Sequence, residues 1–201
     1  MTRRTGSRRP AAALATALLV AVLTACSDAK SPFPGDNVDR DPAEAWAALM
    51  RLPDTDQARQ QYQHLDAELR NALTAAVPKL SPWTTSDDYT GSRAGCGARF
   101  PGVSNDGERE SLPDHAVAGN LPDADYERAL AVIGTIAQRY GFTPRPQRLH
   151  DAPGSHDAVF HNETDEGEIS FGTALNTSLR LQLGCHLFPA AKQRGTPSAT
   201  P

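Results

Sequence analysis

The chain has 201 residues, 39% of them hydrophobic and 22% charged, with a formal net charge of −4 at pH 7. The first 25 residues hold four of the 20 basic side chains and none of the 24 acidic ones, so the remainder carries −8. An acidic surface repels phosphate backbones and anionic headgroups, which argues against nucleic acid as a partner and against electrostatic binding to lipid.

Arg3, Arg4, Arg8 and Arg9 precede an apolar run from Ala11 to Val22, followed by Leu23-Thr24-Ala25-Cys26. A basic start, a short apolar core and small residues before a cut site mark a secretory signal. The run falls short of the about 20 residues that a spanning helix needs. Leu-Thr-Ala-Cys resembles the bacterial lipobox, in which the Cys takes a diacylglyceryl group and the peptide is cut just before it. That resemblance implies loss of residues 1–25, lipidation of Cys26, and attachment to the extracytoplasmic face of the cell membrane. Two acyl chains anchor stably where one binds only marginally. The Arg pairs lack a Phe-Leu-Lys-like continuation, which favours general secretion over twin-arginine export. Residues 26–40 carry Pro32, Pro34 and Gly35 and read as a flexible tether.

Residues 41–188 are enough for one domain. Asp41-Pro42-Ala43-Glu44 is a helix start: Asp caps, Pro takes the first helical position, and Glu follows three residues after the cap. This helix carries Trp46 and Leu49 and breaks near Pro53. Asp54, with Gln57 three residues on, caps a second helix. Ala58, Tyr62, Leu65, Leu69, Leu73 and Ala76 form one apolar stripe along it, and the helix must end before Pro78. Trp83 to Tyr89 has the aromatic and β-branched content of a strand. Residues 101–121 are rich in Pro, Gly and charge and offer only a short strand around His115–Ala118. A third helix runs from Pro122 or Asp123 to Tyr140, with Tyr126, Leu130, Ile133 and Ala137 on one face and Gly141 to end it. Residues 143–149, 157–161, 168–174 and 178–187 are strand candidates. The expected fold is α+β, with two main helices packed on one face of an antiparallel sheet. Residues 189–201 have the composition of a disordered tail.

Beside Cys26, the chain has Cys96 and Cys185. In an oxidising compartment such a pair is expected to be bridged rather than free. A bridge would close a loop of about 90 residues, contributing very roughly 4–5 kcal/mol on the chain-entropy account.

Several short stretches together resemble the LppA-like lipoproteins of mycobacteria and related actinobacteria. They are Pro78 to Trp83 after a long helix, Arg93-Ala-Gly-Cys96, the helix from Asp125-Tyr126 to Arg139-Tyr140-Gly141, and the closing Leu181-Gln-Leu-Gly-Cys185-His-Leu-Phe188. The resemblance spans most of residues 41–188 and implies an exported, lipid-anchored domain. It transfers no catalytic residue.

Chemical signatures are sparse. The sequence has no Gly-x-Ser-x-Gly, His-Glu-x-x-His, Cys-x-x-Cys, phosphate-loop or dinucleotide pattern, and no cofactor is expected. His150, Asp151, His156, Asp157, His161 and Glu163 cluster in sequence. On a regular strand His156 and His161 point to opposite faces, and a turn at Pro153-Gly154 separates His150 from His156. A polar hairpin is therefore favoured over a zinc or copper site. The acidic pairs Asp87-Asp88 and Asp165-Glu166 read as solvated strand ends, and Trp46, Trp83 and Tyr126 as core. Asn162-Glu-Thr164 and Asn176-Thr-Ser178 match the glycan acceptor pattern by chance. Two functions remain. One is a non-catalytic envelope module that binds a protein or a small hydrophobic or cell-wall ligand; the other is a cell-wall hydrolase or transferase. A cleft with two coupled titratable groups favours the second, and an apolar groove the first.

Overall fold

The computed structural model describes residues 41–85, 91–103 and 105–198. They fall within one compact unit, Gly35–Pro201.

Helix α1 spans Pro42–Arg51, and its Asp41 cap accepts from the Ala43 and Glu44 amides. Helix α2 spans Thr55–Ala76 behind a complete capping box of Asp54 and Gln57. Both starts lie where the sequence places them. Helix α3 spans Asp123–Ala137, continues as a single 3-10 turn at Gln138–Tyr140, and stops at Gly141, whose φ is 88°.

The strands are β1 Thr84–Thr85, β2 Ser92–Ala94, β3 Gly107–Ser111, β4 His115–Ala118, β5 Gln147–Ala152, β6 Ser155–His161, β7 Glu168–Thr173 and β8 Asn176–Leu187. They form one eight-stranded sheet in the order β1-β4-β8-β7-β6-β5, with β3 also on β8 and β2 on β3. Every pairing is antiparallel. Long β8 holds the two halves together: its first residues pair with β4 and its last with β3.

The alternation of β6, β7 and β8 turns Ala158, Phe160, Ile169, Phe171, Leu179, Leu181 and Leu183 to one face. The α2 stripe and the α3 face, including Tyr126, Leu130 and Ile133, close over them as one core. A second cluster joins Ala45, Trp46 and Leu49 of α1 to Phe100, Val103, Leu187 and Ala191. At its centre Cys96 and Cys185 are bonded, 89 residues apart in sequence. Trp46 and Tyr126 are buried, and Trp83 packs half-buried against the main core while its indole N–H donates to Thr74 Oγ1 at 3.1 Å.

Three expectations need correction, and a fourth is only partly described. Strand β3 forms inside 101–121 although its sequence, Gly-Glu-Arg-Glu-Ser, has no apolar alternation. Pairing on both sides imposes it, and Arg59 of α2 meets Glu110 at 2.7 Å and Glu108 at 3.9 Å. Strand β5 starts at Gln147, not at residue 143, because Pro144 and Pro146 cannot donate to a ladder. Of the strand expected at 83–89, Thr84 and Thr85 are formed and residues 86–90, with Asp87 and Asp88, lie outside the described residues. The stretch after Phe188 is not disordered as far as Ser198. Pro189–Arg194 is a short helix, α4, with Ala191 buried in the second cluster and Lys192 donating to the Leu52 carbonyl. Buried Asp106 accepts from Arg194 at 2.5 Å and from the Ser198 amide and hydroxyl, each at 2.6 Å. Cys26 lies outside the described residues.

Candidate functional site

The His- and Asp-rich hairpin does not gather its ligand-type side chains. Strands β5 and β6 pair Asp151 with His156 and His150 with Asp157, so adjacent pairs face opposite sides. His156 turns inward. Its Nδ1 meets Asp151 at 2.6 Å and its Nε2 meets Asp123 of α3 at 3.1 Å. Its ring stacks on Tyr126, with centroids 4.6 Å apart. Hydrogen bonds to Asp123 and then to Asp151 hold its pKa above the usual histidine value, against the lowering effect of burial. The same contact, with the Gly154 amide, holds Asp123 below the usual carboxylate value. His150 and Asp157 line a shallow groove on the outer face of the sheet, floored by Ser170, Gly172 and Ser178. His161 sits apart, 3.2 Å from Gln147 and 3.6 Å from Glu168, and Glu163 is exposed. Among the described residues, no group of three His, Cys, Asp or Glu side chains could hold a metal.

A cleft of about 460 Å³ opens elsewhere, between the α1–α2 link, α2, the end of α3, the β6–β7 loop and the end of β8. Its apolar walls are Leu52, Pro53, Tyr62, Tyr140 and Gly141; Gln61, Arg139, Asn162 and Thr164 supply polar groups. That volume lies within the usual range for small-molecule sites. At its base are Tyr62, Asp165 and His186, each 5% exposed or less. Asp165 Oδ2 accepts from the Tyr62 hydroxyl at 3.2 Å and meets His186 Nε2 at 3.0 Å. Its Oδ1 accepts from the Gly167 amide at 2.8 Å, and its carbonyl accepts from Cys185 at 2.7 Å. His186 Nδ1 meets the Pro53 carbonyl at 3.0 Å. Burial, and then the Asp165 carboxylate, push the Tyr62 phenol well above its ordinary pKa. Asp165 is thus buried, contrary to the reading of Asp165-Glu166 as a solvated pair; Glu166 meets Arg99 at 2.5 Å.

Two glycines permit this packing. A Cβ on Gly184 would run into the Asp165 carbonyl, and one on Gly167 would run into the Tyr62 hydroxyl. With its contact to Pro53, the trio joins four separate parts of the chain. Its polar atoms hydrogen-bond to one another and to the backbone. Among the described residues, neither serine nor cysteine lines the opening. Asn162 is buried and donates to the Tyr140 carbonyl at 3.3 Å, so its acceptor pattern is not accessible in the folded chain.

The coupled trio was not legible as a site, because Tyr62 and Asp165 stand 103 residues apart. The available signal was an aspartate and a glycine in a tight turn, Asp165-Glu-Gly167, which indicates a loop and not its partner.

Over residues 33–188 the sequence matches the family LppA, described as a lipoprotein confined to pathogenic Mycobacterium. The fold is similar to the crystal structure of the lipoprotein LppA from Mycobacterium tuberculosis. The TM-score is 0.63 at 15% identity, covering 80% of this chain and 95% of that one. A DUF4853 family protein from Actinomyces odontolyticus gives a TM-score of 0.44 at 11% identity, covering 75% of this chain and 73% of that one. No curated protein matches.

Proposed function

Since this chain belongs to the LppA lipoprotein family, we propose that it is a non-catalytic envelope module. It is held at the extracytoplasmic face of the cell membrane through lipid on Cys26, and it takes a small amphipathic ligand in the cleft beside Tyr62. One observation carries this reading: the titratable groups at the base of the cleft are consumed by internal hydrogen bonds. A general acid or base must reach a substrate proton or lone pair, and Asp165 and His186 instead clamp Pro53, Gly167 and Cys185. The walls offer contact to a ligand, with Leu52, Pro53 and the two tyrosines for an apolar part and Gln61, Arg139 and Thr164 for a polar end.

The test uses the full chain purified from its native membrane, with bound small molecules extracted and identified by mass spectrometry. Thr164 is exposed at the rim, and Thr164→Trp fills the opening without disturbing the core. A compound that accompanies the unaltered chain and is absent from Thr164→Trp is the expected result. Overturning it would take an empty cleft in both proteins, together with peptidoglycan cleavage that His186→Gln abolishes.

A further inference from the structure

Away from the cleft, one side chain is placed between two carboxylates on different elements. His156 lies on β6 and is 7% exposed. Asp151 is on β5 and Asp123 is in the first turn of α3, and each ring nitrogen faces one of their oxygens. A neutral imidazole has a single N–H. It can donate to one carboxylate, and it must then present a lone pair to the other. Only the doubly protonated ring satisfies both contacts. Asp123 also accepts from the amide of Gly154 at the hairpin tip, at 3.1 Å. Asn120, just before α3, donates to the Gly154 carbonyl at 3.4 Å.

We propose that His156 is a proton-operated latch: protonated, it fastens the β5–β6 hairpin to the first turn of α3; neutral, it frees the hairpin tip and with it one wall of the groove on the outer face of the sheet. The groups around the ring come from every element packed on it. Strand β5 brings Asp151 and Arg148, and Arg148 is itself 2.7 Å from Glu127 and 3.5 Å from Asp151. Helix α3 brings Asp123, Tyr126 and Glu127. His150 and Asp157 share the groove, and β7 offers uncharged Thr173 and Phe171. Arg180 also lines the groove but is 2.9 Å from Asp114; apart from it and Arg148, which Glu127 answers, the nearby charge is acidic and favours the protonated ring. Because the folded pKa is raised, the latch is complete below the ordinary histidine value of about 6.5. It is lost as pH rises through the raised value.

Ring NMR and amide hydrogen exchange on the full chain test this. After correction for intrinsic rates, exchange of hairpin amides between residues 152 and 157 should rise roughly tenfold from about pH 6 to about pH 9. In His156→Gln, which cannot gain a proton, it should be flat. Asp151 is half-exposed, so Asp151→Asn leaves the core intact and should move the ring's titration down toward the ordinary value. Protection that ignores pH in the unaltered chain overturns the latch. So does an identical rise in His156→Gln, or a ring titration that Asp151→Asn leaves in place.

Discussion

Asp165 takes three side-chain hydrogen bonds while almost fully buried. Removing the acceptor that such a set shares strands its donors without water, at a cost of about 3–5 kcal/mol. Asp165→Ala should therefore lose roughly that amount in urea unfolding of the full chain, with the Tyr62 hydroxyl and the His186 ring left unanswered. Tyr62→Phe removes only a donor and should cost about 1 kcal/mol. Equal losses for the two variants would mean that the carboxylate is not the hub. Little of this was visible in the sequence, where His186 lies in an apolar strand and Asp165 in a polar loop. Hydrogen-bond partners so far apart leave no periodic trace. Sequence patterns report one element's own faces, and this trio with its Pro53 contact exists only after four segments have come together.

At the scale of elements the sequence was more informative, for a physical reason. Helix caps and apolar stripes are local, so α1, α2 and α3 could be placed from Asp41, Asp54 and the Tyr126 face. Strands β6, β7 and β8 were legible from alternation against a one-sided core. Strand β3 and helix α4 were not, because each is imposed by neighbours: β3 by β8 and Arg59, α4 by Asp106 and the cluster around Trp46. For α4 this gives a direct expectation. Asp106→Ala removes the acceptor for Arg194 and Ser198, so trypsin should cut after Lys192 and Arg194 well before the rest of the domain is degraded. A tail that resists as it does in the unaltered chain would show that Ala191 and Lys192 hold it unaided.

For the whole molecule, the decisive covalent features are two. The Cys96–Cys185 bond closes the second cluster, and the proposed lipid on Cys26 fixes the chain to a membrane. Cys26→Ser should leave the folded domain unchanged by circular dichroism and move it from the membrane fraction to the medium, since the acyl chains supply the anchoring energy. Retention in the membrane fraction would transfer that role to the uncleaved apolar run or to the domain surface.

Helix α1 is the first described element after residue 40, and its buried face rests on the cluster that contains the disulfide and the end of β8. Through the tether proposed above, a pull from the membrane would enter the fold there. Strand β8 is central and bonded on both sides, to β7 along one edge and to β4 and β3 along the other. Drawing out such a strand breaks many ladder bonds at once, whereas an edge strand can be peeled one bond at a time. A pull along β8 is thus resisted by neighbours on both sides at once, whereas the β5–β6 hairpin lies at the edge of the sheet.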